Sequence, residues 1–205
     1  KPFAYPERAQ DRGKVLTEAQ LAEVQDFARY RDADGDGICA RTLPGTPGGK
    51  GAYFTRGTGH NERALYSEKP EDWKGNIDRL RRKFDTAKAF VPKPLLEGSG
   101  SRNGILAYGS SDPAVKEARD LLAEQHGRHL DYLRVRALPF TEEVEAFIRE
   151  HDAVYVVEQN RDAQMASLLR FFYPEFSTRL KSVLHYDSTA INAQTLVDQI
   201  NTFEK

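Results

Sequence analysis

Gly104-Ile105-Leu106-Ala107-Tyr108-Gly109-Ser110-Ser111-Asp112-Pro113 decides the fold. Its first five residues form a short apolar run, which stops at Gly109-Ser110-Ser111. Asp112 as N-cap and Pro113 at the first helical position predict a helix from there. Val115, Ala118, Leu121 and Leu122 share one face of that helix, and Gly127 is its stop signal. Downstream, Leu130–Leu138 reads as a second strand, and Thr141 caps a helix carrying Val144, Phe147 and Ile148. Ala153-Val154-Tyr155-Val156-Val157 is a third strand, running into Glu158-Gln159-Asn160. A helix with Met165, Leu168, Leu169 and Phe172 follows and breaks near Pro174. Leu180–His185 is a fourth strand, and Ser188 or Thr189 caps a last helix with Ile191, Leu196, Val197 and Ile200 apolar. Continuous apolar runs alternating with amphipathic helices predict an α/β fold. Its sheet is doubly wound, mostly parallel and covered on both faces, with right-handed crossovers.

Upstream the pattern is poorer. Residues 1–16 carry two prolines and no clear periodicity. Thr17-Glu18-Ala19-Gln20 has the form of a capping box and predicts a helix to about Phe27, with Leu21, Val24 and Phe27 facing inward. The stretch from Arg31 to Gly51 is too rich in Gly, Pro and Asp for regular structure. Tyr53-Phe54 is a candidate short strand. Pro70 opens a helix in which Trp73, Ile77, Leu80, Phe84 and Ala87 form an apolar stripe, with Lys74, Arg79, Arg81, Arg82 and Lys83 largely off it. That basic run is either a solvated face or a docking face for another subunit. Val91-Pro92-Lys93-Pro94 ends the helix, and Glu97-Gly98-Ser99-Gly100-Ser101 reads as a linker. The expected division is therefore a loop-rich arm with helices over 1–97 and an α/β domain over 98–205.

Composition bounds the function. Of 205 residues, 30% are charged and 39% apolar, and the formal net charge is −1, which argues against bulk capture of nucleic acid or of an anionic membrane. No apolar run approaches a membrane span. The chain opens Lys1-Pro2-Phe3-Ala4-Tyr5, without a leader pattern or an initiator methionine, and is expected to be a fragment or a processed product. Cys39 is the only cysteine, so this chain alone builds neither a disulfide nor a thiolate-held cluster. A reducing, cytoplasmic setting fits.

Several stretches are candidate sites. Asp32, Asp34, Asp36 and Gly37 resemble the start of a calcium loop, but the twelfth position is Leu43 rather than a bidentate Glu, so a tight acidic turn is the plainer expectation. Gly45-Thr46-Pro47-Gly48-Gly49-Lys50-Gly51 lacks the Gly-Lys-Ser/Thr ending of a phosphate loop and reads as an ordered turn. Gly109, Ser110 and Ser111 lie where a strand gives way to a helix, a place suited to an anion, and Glu158-Gln159-Asn160 shares that rim. The plainer reading there is helix capping. Among the five histidines, His60 in Thr58-Gly59-His60-Asn61-Glu62 has either a structural or a site role. No metal site and no catalytic residue is expected within this chain.

Segments that occur in one order carry a resemblance. They are Asp11-Arg12-Gly13-Lys14-Val15, Arg29-Tyr30, Asp36-Gly37-Ile38, Arg41-Thr42-Leu43-Pro44-Gly45 and Gly59-His60-Asn61-Glu62. Arg81-Arg82-Lys83-Phe84, Tyr108-Gly109-Ser110, Arg134–Phe140 and Val157-Glu158-Gln159-Asn160 follow. Together, over about residues 8 to 172, they resemble the C-terminal part of the alpha subunit of 2-oxoacid:ferredoxin oxidoreductases, most like the 2-oxoglutarate type. The chain departs from that pattern at Gly59 and Asn61, where the family has acidic residues, and at Ala163-Gln164, where it often has Gly-Gln.

The resemblance implies a transketolase C-terminal-like domain over 98–205, preceded by the arm that leaves a pyrimidine-binding domain. It implies thiamine diphosphate and Mg2+ between subunits, a 4Fe–4S cluster in the beta subunit, and CoA and ferredoxin as reactants. None of these groups would be held by this chain alone. Expected partners are the beta subunit and the remainder of the alpha subunit, in a dimer of alpha-beta units. Arg41, His60, Glu158 and Asn160 are the interface or near-site candidates. The chain's own part would be scaffold and subunit interface, inactive in isolation. The rival readings are a stand-alone α/β module binding a small anion at the carboxyl edge of the sheet, and a calcium-responsive adaptor.

Overall fold

The computed structural model describes residues 4, 5, 7, 10–55, 57–98 and 100–204. The chain divides into two units, residues 1–87 and 88–205. Among the described residues, no helix is long and apolar enough to cross a membrane.

The second unit is the predicted sheet. Strands β1 (Leu95–Glu97), β2 (Asn103–Tyr108), β3 (Leu130–Val135), β4 (Ala153–Glu158) and β5 (Leu180–Leu184) lie in the order β1-β3-β2-β4-β5. Leu106 of β2 stands opposite Leu133 on one side and Val156 on the other, all parallel. β5 extends the parallel set from β4, and β1 adds an antiparallel edge on β3. Side chains alternate between two cores, as a strand period of two requires. Ile105, Ala107, Tyr132, Tyr155, Val157 and Val183 face helices α3 (Asp112–His126) and α6 (Ala193–Phe203). Leu106, Leu133, Val154 and Val156 face α4 (Glu142–Glu150) and α5 (Gln164–Phe172). Both faces are covered, which is why the strands read as unbroken apolar runs.

Several helix ends differ from expectation. α3 begins at Asp112 itself, after a 3-10 turn over Gly109–Ser111, and Ser111 makes no side-chain cap. The Asp112 carboxylate is engaged elsewhere: it accepts from the Tyr132 hydroxyl at 3.0 Å and pairs with Arg134 at 3.2 Å. Gly127 ends α3 with a left-handed φ of 62°, as expected. Thr141 holds the N-cap position of α4 without a capping bond. The C-terminal carbonyls of α4 are met by Arg179, whose guanidinium donates to Arg149 O at 2.6 Å and His151 O at 3.0 Å. The cap of α6 is Asn192, not Ser188 or Thr189. Its Oδ1 accepts from the Thr195 amide at 2.9 Å, while Thr189 is bonded to Asp187.

The first unit has little apolar interior. Its buried apolar side chains among the described residues are Leu21, Ala28 and Ala64. Helix α1 spans only Glu18–Glu23. It opens with the expected capping box, in which Gln20 Oε1 accepts from the Thr17 amide at 2.9 Å, and it ends at Val24 rather than Phe27. Tyr53-Phe54 is not a strand.

Helix α2 (Pro70–Ala87) keeps Lys74 and Arg81 of its basic run in solvent, as a solvated face would, but its apolar stripe is outward too. Trp73, Ile77, Leu80 and Phe84 are exposed, Trp73 at 63%, whereas Arg79 is buried at 9%. The face turned inward is polar. Asp72 accepts from Ser67, Asn76 donates to His60 O, Arg79 donates to Gly37 O, Arg82 pairs with Asp32, and Thr86 donates to Asp36 O. The surface beneath this face is a Gly- and Asp-rich loop full of backbone carbonyls. Those carbonyls must be satisfied, and a stripe of donors does this where an apolar stripe cannot.

Candidate functional site

The carboxyl edge of the sheet is where β2 and β4 part. From β2 the chain crosses to β3 on one side, then returns to β4 on the other, so this is the switch point where open α/β sheets leave a crevice. Tyr108 ends β2 there and Glu158 ends β4. Gly109, Ser110 and Ser111 form the turn into α3, and the Gln159 amide donates to the hydroxyls of Ser110 and Ser111, both at 3.1 Å. Thus the rim's two hydroxyls are tied across the switch point to the neighbouring strand's end.

Glu158 lies under this rim and is fully buried. Its carboxyl oxygens accept from the amides of Met165 at 2.8 Å and Ala166 at 3.1 Å, and from Asn160 Nδ2 at 2.6 Å. Asn160 Oδ1 in turn accepts from the amides of Asp162 and Gln164. The pair therefore satisfies the orphan amides at the start of α5, where negative charge also suits the helix dipole. Ala163, just before α5, is left-handed with a φ of 50°, the position at which the resembled family often has glycine. The Tyr108 hydroxyl shares this surrounding: burial, then the nearby Glu158, pushes its pKa up, against a hydrogen bond with Asn160.

Arg41 and His60 both belong to the first unit. Arg41 is fixed by its backbone, which bridges in parallel to Val15, and its amide donates to Lys14 O at 2.9 Å. Its side chain lines a cavity of about 560 Å³. The His60 ring stacks on Tyr30 with centroids 4.1 Å apart, and its Nδ1 lies 2.9 Å from Asn61 O. Gly59, which replaces an acidic residue of the resembled family, passes so close to the next segment that a Cβ would sit 2.6 Å from Ser67 O. The structure thus brings Glu158 and Asn160 together with the Gly109–Ser111 rim, and places Arg41 and His60 in the other unit.

The remaining sequence candidates have partners within the chain. Carboxylate oxygens of Asp32, Asp34 and Asp36 lie within 4.8 Å of one another, but Lys14 bonds Asp34 and Asp36 at 2.7 Å and Arg82 bonds Asp32 at 2.9 Å. The cationic charge at this cluster comes from the chain itself. Around the loop at 45–51, Thr42 is buried and its hydroxyl donates to Gly51 O at 2.6 Å, as befits an ordered turn. His151 is buried against Phe147, with Nδ1 2.6 Å from Phe147 O and Nε2 3.5 Å from Asp131. His185 Nε2 lies 2.9 Å from Thr189 O.

Sequence reasoning missed what surrounds Arg41. Arg12, Arg29, Arg79 and Lys83 line the same cavity. They come from separate stretches, so no local motif announces them. The one available signal was a surplus of arginine in a segment with few apolar residues.

No family model matches the chain, and no curated protein matches it. Among solved structures it is similar to the 2-oxoglutarate:ferredoxin oxidoreductase from Magnetococcus marinus, solved with 2-oxoglutarate, coenzyme A and succinyl-CoA bound. The two are 20% identical over 87% of this chain and 31% of that one, with a TM-score of 0.72. A split gene transketolase, as an inactive beta4 tetramer, is 19% identical over 54% of this chain and 40% of that one, with a TM-score of 0.46. The alpha chain of a probable 2-oxoacid ferredoxin oxidoreductase from Thermoplasma acidophilum is 19% identical over 54% of this chain and 96% of that one, with a TM-score of 0.36. The first likeness shows a shared fold, and this chain spans under a third of that neighbour's length.

Proposed function

We propose that this chain is the C-terminal part of the alpha subunit of a thiamine-diphosphate-dependent 2-oxoacid:ferredoxin oxidoreductase. The whole enzyme would convert 2-oxoglutarate, CoA and oxidised ferredoxin to succinyl-CoA, CO2 and reduced ferredoxin. One observation carries the reading. The fold shared with the Magnetococcus marinus enzyme extends over 87% of the chain, and the same chain carries the ordered motifs from Asp11 to Asn160 that resemble that family. The fold alone would leave the activity open, since one α/β fold hosts many chemistries.

The residues present do not fit the 4Fe–4S cluster or the divalent ion of such an enzyme. A 4Fe–4S cluster needs four ligands of the cysteine kind. This chain has only Cys39, half-buried, with its thiol pKa pushed up chiefly by burial. The carboxylates that could take a divalent ion, Asp32, Asp34 and Asp36, are bonded to Lys14 and Arg82. On this reading the cluster and the Mg2+ would be held by the rest of the alpha subunit and by the beta subunit, and no chemical step is assigned here.

What remains for this chain is scaffold and interface. The outward apolar stripe of α2 supports that role, because Trp73, Ile77, Leu80 and Phe84 form a contiguous exposed face of the sort that subunit contacts cover. Arg41, His60, Glu158 and Asn160 act through assembly or through the shape of the neighbouring site.

The test is reconstitution. The chain, joined to the rest of its alpha subunit and expressed with a beta subunit, should copurify with cluster absorbance and reduce ferredoxin in the presence of 2-oxoglutarate and CoA. Alone it should do neither. Turnover by the isolated chain overturns the reading, as does failure of alanine at all four positions to alter turnover, assembly or cofactor affinity.

A further inference from the structure

The cavity beside Arg41 is lined by a concentration of positive charge. Six cationic side chains line its 560 Å³: Arg12, Lys14, Arg29, Arg41, Arg79 and Lys83. A single acidic residue lines it, Asp11, whose carboxylate accepts from the Gly13 amide at 2.8 Å. Lys14 is bonded to Asp34 and Asp36. Among the described residues the other five have no carboxylate within ion-pair distance. Net charge does not produce this concentration, because the chain as a whole is at −1.

The arginines are held in place yet under-supplied with acceptors. Arg29 and Arg79 lie over the Tyr30 ring, at 5.1 and 5.8 Å from its centroid; Arg29 also donates to Ala40 O at 3.4 Å and Arg79 to Gly37 O at 3.2 Å. A ring face positions a guanidinium but accepts little from its N–H groups. The Nε–H groups of Arg29, Arg41 and Arg79 are buried without a hydrogen-bond partner among the described residues. Buried donors without acceptors are uncommon in folded proteins and costly.

We infer that this cavity binds a small molecule through a diphosphate or a larger polyphosphate group. Guanidinium forks match phosphoryl oxygens in pairs, and several arginines can share one diphosphate. A lone carboxylate offers two oxygens and one charge against five unneutralised cations. The volume is that of an ordinary small-molecule pocket, for which the usual range is roughly 300–1,000 Å³. The inference depends only on this cavity and stands whether or not the chain belongs to an oxidoreductase.

The 205-residue chain, titrated calorimetrically with inorganic pyrophosphate and tripolyphosphate, should bind each saturably, with orthophosphate and succinate as the comparisons. Pyrophosphate is expected to bind at least about tenfold tighter than either comparison. Arg12→Gln and Lys83→Gln, both at replaceable wall positions, should each weaken it about tenfold or more. Arg41→Gln should do the same, with circular dichroism confirming that it folds. Cys39 lines the same cavity and is the only thiol, so occupancy should slow its alkylation at mildly alkaline pH. No saturable binding, equal affinity in all three variants, or succinate binding as tightly as pyrophosphate would each overturn the assignment. The last result would mark a seat for acidic side chains instead.

Discussion

The carboxyl group of Glu158, at the end of β4, accepts the backbone amide of Met165, seven residues on, at 2.8 Å. With the Ala166 amide at 3.1 Å, this makes a strand residue the N-terminal cap of the next helix, α5. The bonds lie in a fully buried site, so water cannot replace them.

Glu158→Ala should therefore destabilise the second unit by about 2–3 kcal/mol, the cost of stranding buried donors. Glu158→Gln keeps one acceptor oxygen and should lose about half as much. Urea unfolding, with the midpoint lowered and the slope unchanged, is the measurement. A midpoint that stays put in Glu158→Ala would show that the capping bonds contribute nothing.

Gly104 is expected to resist substitution for a packing reason. An added Cβ would lie 2.6 Å from the Phe147 ring and 3.2 Å from His151 Cδ2, where α4 crosses β2. Gly104→Ala should cost about 1–3 kcal/mol as overpacking. Combined with Phe147→Leu it should cost less than the two single changes added together. Strict additivity would rule out the clash.

Acid should loosen the first unit before the second. Asp26 is held below the usual carboxylate range by Arg63 and then Arg31, Glu62 by Arg31, and Asp36 by Lys14. For Asp32, burial acts upward but is outweighed by Arg82 and the Gly37 amide. In each case the folded pKa lies below the unfolded one. The linked stability is therefore complete above the unfolded carboxylate range, near pH ~4, and is lost as pH falls below it. Exposed pairs contribute little individually, but among its described residues this unit has few buried apolar side chains to fall back on. Amide cross-peaks from residues 10–87 should broaden or collapse on acidification while those of β2–β5 persist. Simultaneous loss in both units would count against this account.

The exposed stripe of α2 should be dispensable for folding and required for assembly. Trp73→Gln with Phe84→Gln should change the stability of the isolated chain by no more than about 0.5 kcal/mol each, as for other surface positions. The same pair should prevent copurification with partner subunits. Emission from Trp73, the only tryptophan, should be that of a water-exposed indole until partners bind, and should then shift to shorter wavelength.

These cases show where the amino-acid order is informative. The second unit was legible because its strands and helices put apolar residues on the faces that are buried, so period and burial agree. β1 was not, since Leu95-Leu96-Glu97 is only three residues long and half-exposed beside two prolines. Asp112 looked like a cap because short acidic residues usually are. Tertiary pairing with Tyr132 and Arg134 decided otherwise. In α2 the periodicity was right and its meaning reversed, because what the helix covers is backbone rather than side chains. Arg41 and His60 were singled out from motif position. The cationic cavity beside Arg41 was not, because residues as far apart in the chain as Arg12 and Lys83 meet only in three dimensions.

The inverted helix has a thermodynamic corollary. A segment anchored by its hydrophilic side is already ordered before any other subunit arrives, and its greasy side is presented in final form. Recognition through that side would then forgo most of the entropic toll that coupled folding imposes. Its heat-capacity change should be correspondingly small, set by the contact patch rather than by eighty-odd residues collapsing at once.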